Sequence, residues 1–308
     1  MRANGKKIIV VAGPTASGKT ALGIEIAKAV GGEIICADSM QVYKNMPIAT
    51  AAPTADERAQ VPHHLCEFLS PDESFSVARW CALARKEIEE IIGRGRVPVI
   101  VGGTGLFIDS LVDNILFEEA ETDEVLRSSL MEKDTDELYA ELMKVDSQAA
   151  ENIHKNNKKR VVRALELYYS GVGKTQQNIN SKREKSPYNA LYFVLAYKDR
   201  QKLYDRINQR AELMVSQGLV EEARKNLGTL SATARQAIGH KELAPYINGD
   251  ADLEGAVENL KRETRRYAKR QITWFKRRES ACVLTVDETG FDNAVQTAIK
   301  ISEDFLNG

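Results

Sequence analysis

Apolar positions fall along this chain in two alternating rhythms. Ile8-Ile9-Val10-Val11-Ala12 is a short unbroken run rich in β-branched residues, which reads as a buried strand. Behind it the period turns helical: Leu22, Ile26, Ala29 and Val30 share one face until Gly31-Gly32 stops the pattern. Glu33-Ile34-Ile35-Cys36-Ala37 predicts a second strand with Asp38 at its C-terminal end. From Asn45 to Pro71 the pattern is polar and broken by prolines. It is read as a long loop with little regular structure, a length that inside a compact domain points to function. Helical spacing returns after Ser74 at Val77, Trp80, Ala84, Ile88 and Ile91, and Gly93 and Gly95 end it. Val97-Pro98-Val99-Ile100-Val101 is a third strand opening onto a glycine-rich turn, Gly102-Gly103-Thr104-Gly105.

Beyond residue 114 the character changes. Residues 115–187 are highly charged and helical in period, with apolar sets at Leu126, Leu130, Leu138, Leu142 and Val145 and at Val161, Val162, Leu165 and Leu167. Lys174 to Pro187 is polar and is expected to be mobile. Tyr192-Phe193-Val194-Leu195-Ala196 then predicts a strand that returns to the sheet, and one more short strand is expected near Val283–Val286. Strands alternating with helices imply a parallel sheet with helices on both faces. The expected fold class is α/β: a phosphate-loop core of residues 1–114 and 188–308, with an all-helical domain inserted at 115–187.

Composition narrows the classes. In 308 residues, 43% are hydrophobic, which allows a sizeable core, and no apolar run approaches the roughly 18–20 residues of a membrane helix. The start of the chain leads straight into the first strand, so no signal peptide is expected. Four cysteines without a C-x-x-C pair read as reduced thiols of a cytoplasmic protein. Nothing suggests a large apolar patch, and a monomer is expected. Net charge is −1, with 43 Lys+Arg against 44 Asp+Glu, which excludes a generic nucleic-acid coat but not local basic faces. Two such faces stand out: Lys155, Lys158, Lys159, Arg160 and Arg163, and a run from Lys261 to Arg278 in which Glu263 is the opposing charge.

The first candidate for chemistry is Gly13-Pro14-Thr15-Ala16-Ser17-Gly18-Lys19-Thr20, a complete G-x-x-x-x-G-K-[ST] phosphate loop. It follows a strand and opens a helix, so its backbone N–H groups and the positive helix end converge on one point. Lys19 can reach outer phosphates, and Thr20 can place a hydroxyl on Mg²⁺. In parallel sheets ligands sit beyond the C-terminal strand ends. Three polar clusters fall on that edge: Gly13–Thr20, Asp38–Tyr43 and Gly102–Phe107. A kinase would present an acid after a later strand to hold metal, and here the third strand ends in Gly-Gly-Thr. The acid is Asp38, placed to act as general base on an acceptor brought to the phosphate site. The adjacent His63 and His64 diverge and lack a third ligand, so no metal site is expected there.

Asp38-Ser39-Met40-Gln41-Val42-Tyr43, the phosphate loop and Gly102–Phe107 together resemble the tRNA dimethylallyltransferase family. So do His154-x-Asn156 with Arg160-x-x-Arg163, Asp205–Arg210, Gln236–Glu242 and Thr264–Phe275, and the resemblance spans essentially the whole chain. It implies transfer of a dimethylallyl group from dimethylallyl diphosphate to N6 of the adenosine beside the anticodon (position 37) in tRNAs reading codons that begin with U. It implies diphosphate or nucleotide binding by Gly13, Pro14, Thr15, Ala16, Ser17, Gly18, Lys19 and Thr20, with backbone amides of residues 15–20 holding the departing charge. Mg²⁺ would sit on Thr20. Asp38, Thr104 and Arg210 are the implied catalytic residues. The tRNA anticodon stem-loop would be met by Asp38, Ser39, Met40, Gln41, Thr104, Arg127, Lys159, Arg160, Arg163, Gln236, Gly239, His240 and Lys241.

The chain departs from the family pattern at three places. Ala49-Thr50-Ala51-Ala52-Pro53 stands where Gly-Thr-Ala-Lys-Pro is usual, so that loop is left out of the expected site. Phe107 replaces a tyrosine, and His240 replaces another, which weakens stacking on RNA. The competing functions are an adenylate isopentenyltransferase, a small-molecule phosphate-loop kinase and a non-catalytic RNA-binding protein. The charged helical insert favours tRNA over free adenylate.

Overall fold

The protein is described by a computed structural model covering residues 5–115, 123–171, 173, 175 and 185–308. Its contacts divide into two units, one of Met1–Val112 with Pro187–Gly308 and one of Asp113–Ser186. Most of the stretch from Lys174 to Pro187 lies outside the described residues, as do residues 116–122.

The first unit is built on strand β1 (Lys6–Ala12), which sits between two parallel partners in the sheet. The strands that follow in the chain are β2 (Gly32–Cys36), β3 (His63–His64), β4 (Val97–Gly102), β5 (Tyr188–Ala196) and β6 (Cys282–Thr285). All pair in parallel, in the order β3-β2-β4-β1-β5-β6. Ile9 lies opposite Val99 and Leu191, and Val11 opposite Val101 and Phe193. Ile9, Val11, Val99, Val101, Phe193 and Leu195 pack with Leu22 and Ile26 of helix α1 (Lys19–Val30) on one face. The alternate residues Ile8, Val10, Ile35 and Ile100 are just as buried, so both faces are covered, which is why these strands read as unbroken apolar runs.

The segment from Asn45 to Pro71 corrects the expected loop. It holds α2 (Pro47–Thr50), α3 (Ala55–Gln60) and the edge strand β3. Pro47 opens the first, where its missing N–H costs nothing. The second starts with a capping box, Thr54 and Glu57 each bonding the other's backbone N–H. Two residues make a strand here because Ile34 and Ile35 pair with His63 and His64, and Glu33 and Glu87 hold the His64 ring. The remaining helices of this unit are α4 (Val77–Gly93) and α5 (Gly105–Val112) before the insert. After it come α10 (Arg200–Ser216), α11 (Leu219–Asn226), α12 (His240–Asn248), α13 (Leu253–Phe275), α14 (Val286–Thr289) and α15 (Phe291–Asn307).

The second unit contains helices α6 (Glu124–Glu132), α7 (Thr135–Val145), α8 (Ser147–Glu151) and α9 (Lys158–Tyr169), with no strand among its described residues. Asp123, Asp134, Asp146 and Asn157 each cap one of them by accepting first-turn amides. Its own core is Leu130, Leu138, Leu142, Ala150, Val161 and Leu165. Among the described residues no helix is long and apolar enough to cross a membrane, and all four cysteines are free.

Candidate active site

The phosphate loop leaves β1 at Ala12 and turns into α1 through Ala16 and Gly18, both left-handed at φ 61 and φ 98. Gly18 caps the helix without a side-chain bond, and the first turn carries no acid. The positive helix end is therefore open to an anion. Buried Ser17 Oγ has no partner among the described residues. One expectation needs correction: the Thr15 N–H is not part of the cradle, because it donates to Gln271 Oε1 at 2.8 Å. The Ser17 N–H likewise turns to Pro14 O at 3.3 Å.

Beside the loop lies a cavity of about 290 Å³ that gathers Thr15, Lys19, Asp38, Ser39, Met40, Gln41 and Arg210. Arg210, on α10, reaches Thr15 Oγ1 with Nη1 at 3.4 Å. Lys19 keeps some solvent contact, yet burial, the largest effect on it, pushes its ammonium down to about 8. The charge of Asp38 opposes that fall and the charge of Arg210 adds to it. Burial also lowers Arg210, again against Asp38. Tyr267 and Gln271, on α13, close the cavity from another side, and Ile207, Met214, Ile238 and Leu260 give it an apolar wall. The Tyr267 phenol is raised far above its ordinary range, first by burial and then by Asp38, so it stays protonated. A second cavity of about 970 Å³ shares Lys19 and Arg210 and adds Thr20, Arg58 and Arg206.

Asp38 is fixed by the strand end that carries it. Its Oδ1 accepts the Met40 N–H at 2.9 Å, and the Ser39 N–H donates to Thr104 Oγ1 at 2.9 Å. Thr104 reaches this place because β4 runs beside β2: the Thr104 N–H donates to Ala37 O at 3.1 Å, and a Cβ on Gly102 would lie 2.0 Å from that same oxygen. The two strand ends thus touch through backbone that only glycine permits.

Comparison with known proteins places this geometry. The family described as IPP transferase matches residues 41–278, and the one described as isopentenyl transferase matches residues 6–64. The chain is 45% identical over 300 residues to the tRNA dimethylallyltransferase of Acetivibrio thermocellus, covering 95% of this chain and 96% of that protein. It belongs to the tRNA dimethylallyltransferase family. The Bacillus subtilis tRNA dimethylallyltransferase is 44% identical over 275 residues, 87% of each chain. The crystal structure of the tRNA isopentenylpyrophosphate transferase from Bacillus halodurans matches at a TM-score of 0.71 with 38% identity, over 99% of this chain and 100% of that one. A eukaryotic dimethylallyltransferase acting on tRNA matches at 0.84 with 31% identity, over 98% of this chain and 80% of that one.

In this transferase several residues implied by the resemblance stand elsewhere than expected. Gln236 and Lys241 line the first cavity, but His240 does not. Its ring is 0% exposed and its Nε2 meets Glu222 Oε1 at 3.0 Å, so it cannot stack on RNA here. Gly239 is buried too and serves as the N-cap of α12, its N–H bonded to Glu242. Conversely, the loop left out of the expected site belongs to it: Ala49 and Thr50 line the first cavity and Ala51, Ala52 and Pro53 the second. Glu222 anchors that loop by accepting the Ile48 and Ala49 N–H groups at 2.8 and 2.9 Å, and Gln41 Nε2 donates to Ala51 O at 2.9 Å.

In the helical unit Arg127 and Arg163 both bond the buried carboxylate of Glu166, at 3.3 and 3.1 Å, so each is first an ion-pair partner. Lys159 and Arg160 are exposed. The basic helix α13 is also less one-sided than its sequence, for Glu212 of α10 and Glu258 both hold Lys261. Missed by sequence reasoning were Tyr267 and Gln271 as site residues; their signal was present in the matched C-terminal motif, without a role attached. Among the described residues no group of three His, Cys, Asp or Glu could hold a metal ion.

Proposed function

We propose that the enzyme breaks the allylic C–O bond of dimethylallyl diphosphate and forms a C–N bond to N6 of the adenosine beside the anticodon, releasing diphosphate. The observation that carries this reading is the meeting of Lys19, Arg210 and Asp38 in one cavity at the phosphate loop. As the C–O bond breaks, negative charge grows on the diphosphate, where Lys19, Arg210 and the open end of α1 lie ready to receive it. Asp38 takes the proton that the adenine amine loses as it bonds carbon. The apolar wall of Ile207, Met214 and Leu260 suits the five-carbon chain, and the polar edge with Ser39 and Gln41 suits a base taken out of its stack.

The cavity's donors fit Mg²⁺ only in part. Thr20 offers a hydroxyl oxygen beside the loop, and Mg²⁺ ordinarily takes few protein ligands and several from phosphate and water. When bound, it would neutralise diphosphate charge. Lys159 and Arg160 supply exposed cations for the phosphates of the stem-loop. A small-molecule kinase is disfavoured by the same geometry, because the strand that follows α4 ends at Gly102 and runs into Gly103-Thr104 with no carboxylate to hold metal.

The test is incubation of the protein with dimethylallyl diphosphate, Mg²⁺ and unmodified tRNA, followed by mass analysis of the nucleosides, with AMP and ATP in parallel. A gain of one C5H8 unit on a tRNA adenosine is expected. Prenylated AMP without prenylated tRNA, or ATP consumption with neither, overturns the reading.

A further inference from the structure

The register between β1 and β4 ends at Ala12 opposite Gly102. Past that point the two strands run into different turns, the phosphate loop and the turn that carries Thr104. One side chain spans them. Gln271 of α13 is 4% exposed and uses both ends of its amide: Oε1 accepts the Thr15 N–H at 2.8 Å, and Nε2 donates to Gly103 O at 2.8 Å. We propose that Gln271 is a positioning residue that sets the spacing between the leaving-group cradle and the general base. The proposal rests on the function given above.

The chemistry of the side chain makes it fit for this. A carboxamide offers an acceptor and a donor side by side on one rigid plane. Glutamate could still accept from Thr15 but would face the Gly103 carbonyl with no proton to give. Asparagine, one methylene shorter, cannot span both partners. A Cβ on Gly103 would come within 2.3 Å of Nε2, so the amide reaches its carbonyl because that position is glycine.

What the bridge joins matters for rate. On one side is Thr15, whose hydroxyl meets Arg210. On the other, Gly103 leads to Thr104, and Thr104 holds the Ser39 N–H next to Asp38. Leaving group and base are thus carried by separate turns, and transfer demands that both meet the reacting carbon and amine together. A displacement of about 1 Å is enough to cost roughly a hundredfold when two reactants must be aligned. Binding of either reactant alone demands no such agreement. Loss of the bridge should therefore slow the chemical step and spare the separate affinities.

The experiment uses the full-length enzyme and Gln271→Met, which keeps length and volume, and Gln271→Asn. Single-turnover transfer to an anticodon stem-loop RNA is measured beside equilibrium binding of inorganic diphosphate and of the same RNA. The expected result for both variants is a transfer rate at least about tenfold lower, with both dissociation constants within about threefold of wild type. A folded variant that transfers at the wild-type rate, or whose loss is matched by weaker diphosphate binding, overturns the proposal. So does fast hydrogen exchange at the Thr15 amide of the unliganded wild-type protein, a reading that needs no variant to fold. A wild-type enzyme that transfers nothing sinks the functional reading itself, and is told apart from failure of Gln271 alone.

Discussion

Lys19 and Asp38 line one cavity, and the carboxylate's charge offsets part of the burial that pushes the lysine down to about 8. The pair links the two halves of the proposed chemistry, since one group receives leaving-group charge and the other removes a proton.

The first prediction concerns pH. Lys19 has a folded value near 8 against an ordinary 10.5. Below about 8 it is charged in both folded and unfolded chains, and folding bears the cost of burying that charge. Between about 8 and 10.5 the folded chain releases the proton and the unfolded chain keeps it, so this group's contribution to stability rises with pH across that window. Diphosphate binding reverses the shift and must take up a proton above about 8. Affinity for inorganic diphosphate, measured by calorimetry, should fall from pH 8 to pH 9.5 relative to Lys19→Arg, which stays charged. Parallel pH profiles for the two proteins would falsify it.

Replacing Asp38 tests the other half. Asp38→Asn keeps the shape and the bond from the Met40 N–H but cannot accept the amine proton. Single-turnover transfer should fall by at least about a hundredfold, with stem-loop affinity near wild type. Normal turnover removes Asp38 from the role of base.

The cations of the helical unit divide between an ion-pair network and the proposed RNA contacts. Arg127 and Arg163 share the buried Glu166. Glu166→Ala should therefore lower stability by about 1 kcal/mol, because both arginines keep access to water once the carboxylate is gone. Lys159→Ala with Arg160→Ala should leave the melting temperature alone and reduce the salt slope of tRNA binding by about 1–2. An unchanged slope would make these two cations ordinary surface charge.

Packing at the site rests on Gly105. A Cβ there would sit 2.3 Å from the Trp274 ring, whose Nε1 donates to Asp109 at 2.6 Å. Gly105→Ala should cost about 1–3 kcal/mol of stability through overpacking and displace the end of α13 near Gln271. Denaturant unfolding measures the first effect and transfer kinetics the second; a variant as stable as wild type shows that Trp274 gives way freely.

Five of the six strands were legible because each holds a run of apolar residues, buried on both faces through most of β1, β2 and β4 and at the end of β5, whereas β6 leaves Val283 60% exposed. The sixth was not. His63-His64 has no apolar signature and is a strand only by virtue of Ile34 and Ile35 beside it. The phosphate loop was legible for a similar local reason, since its glycines, lysine and threonine lie within eight consecutive residues. His240 misled because a histidine in a polar motif looks the same whether it faces RNA or a buried Glu222. The Ala49–Pro53 loop misled in the other direction, since its lack of charge hid its place in the cavity walls.

Sequence alone settled the alternation of strand and helix, the glycine-rich turn from β1 into α1 and the acid at a strand end, because each is written in neighbouring residues and in the period of apolar side chains. Tertiary structure decided which distant groups share a cavity. Thr15 meets Gln271 across 256 positions, and Arg210 meets Thr15 across 195. No local pattern encodes such contacts; they exist because α10 and α13 fold back over the strand ends, where burial and neighbouring charge then set what each side chain can do.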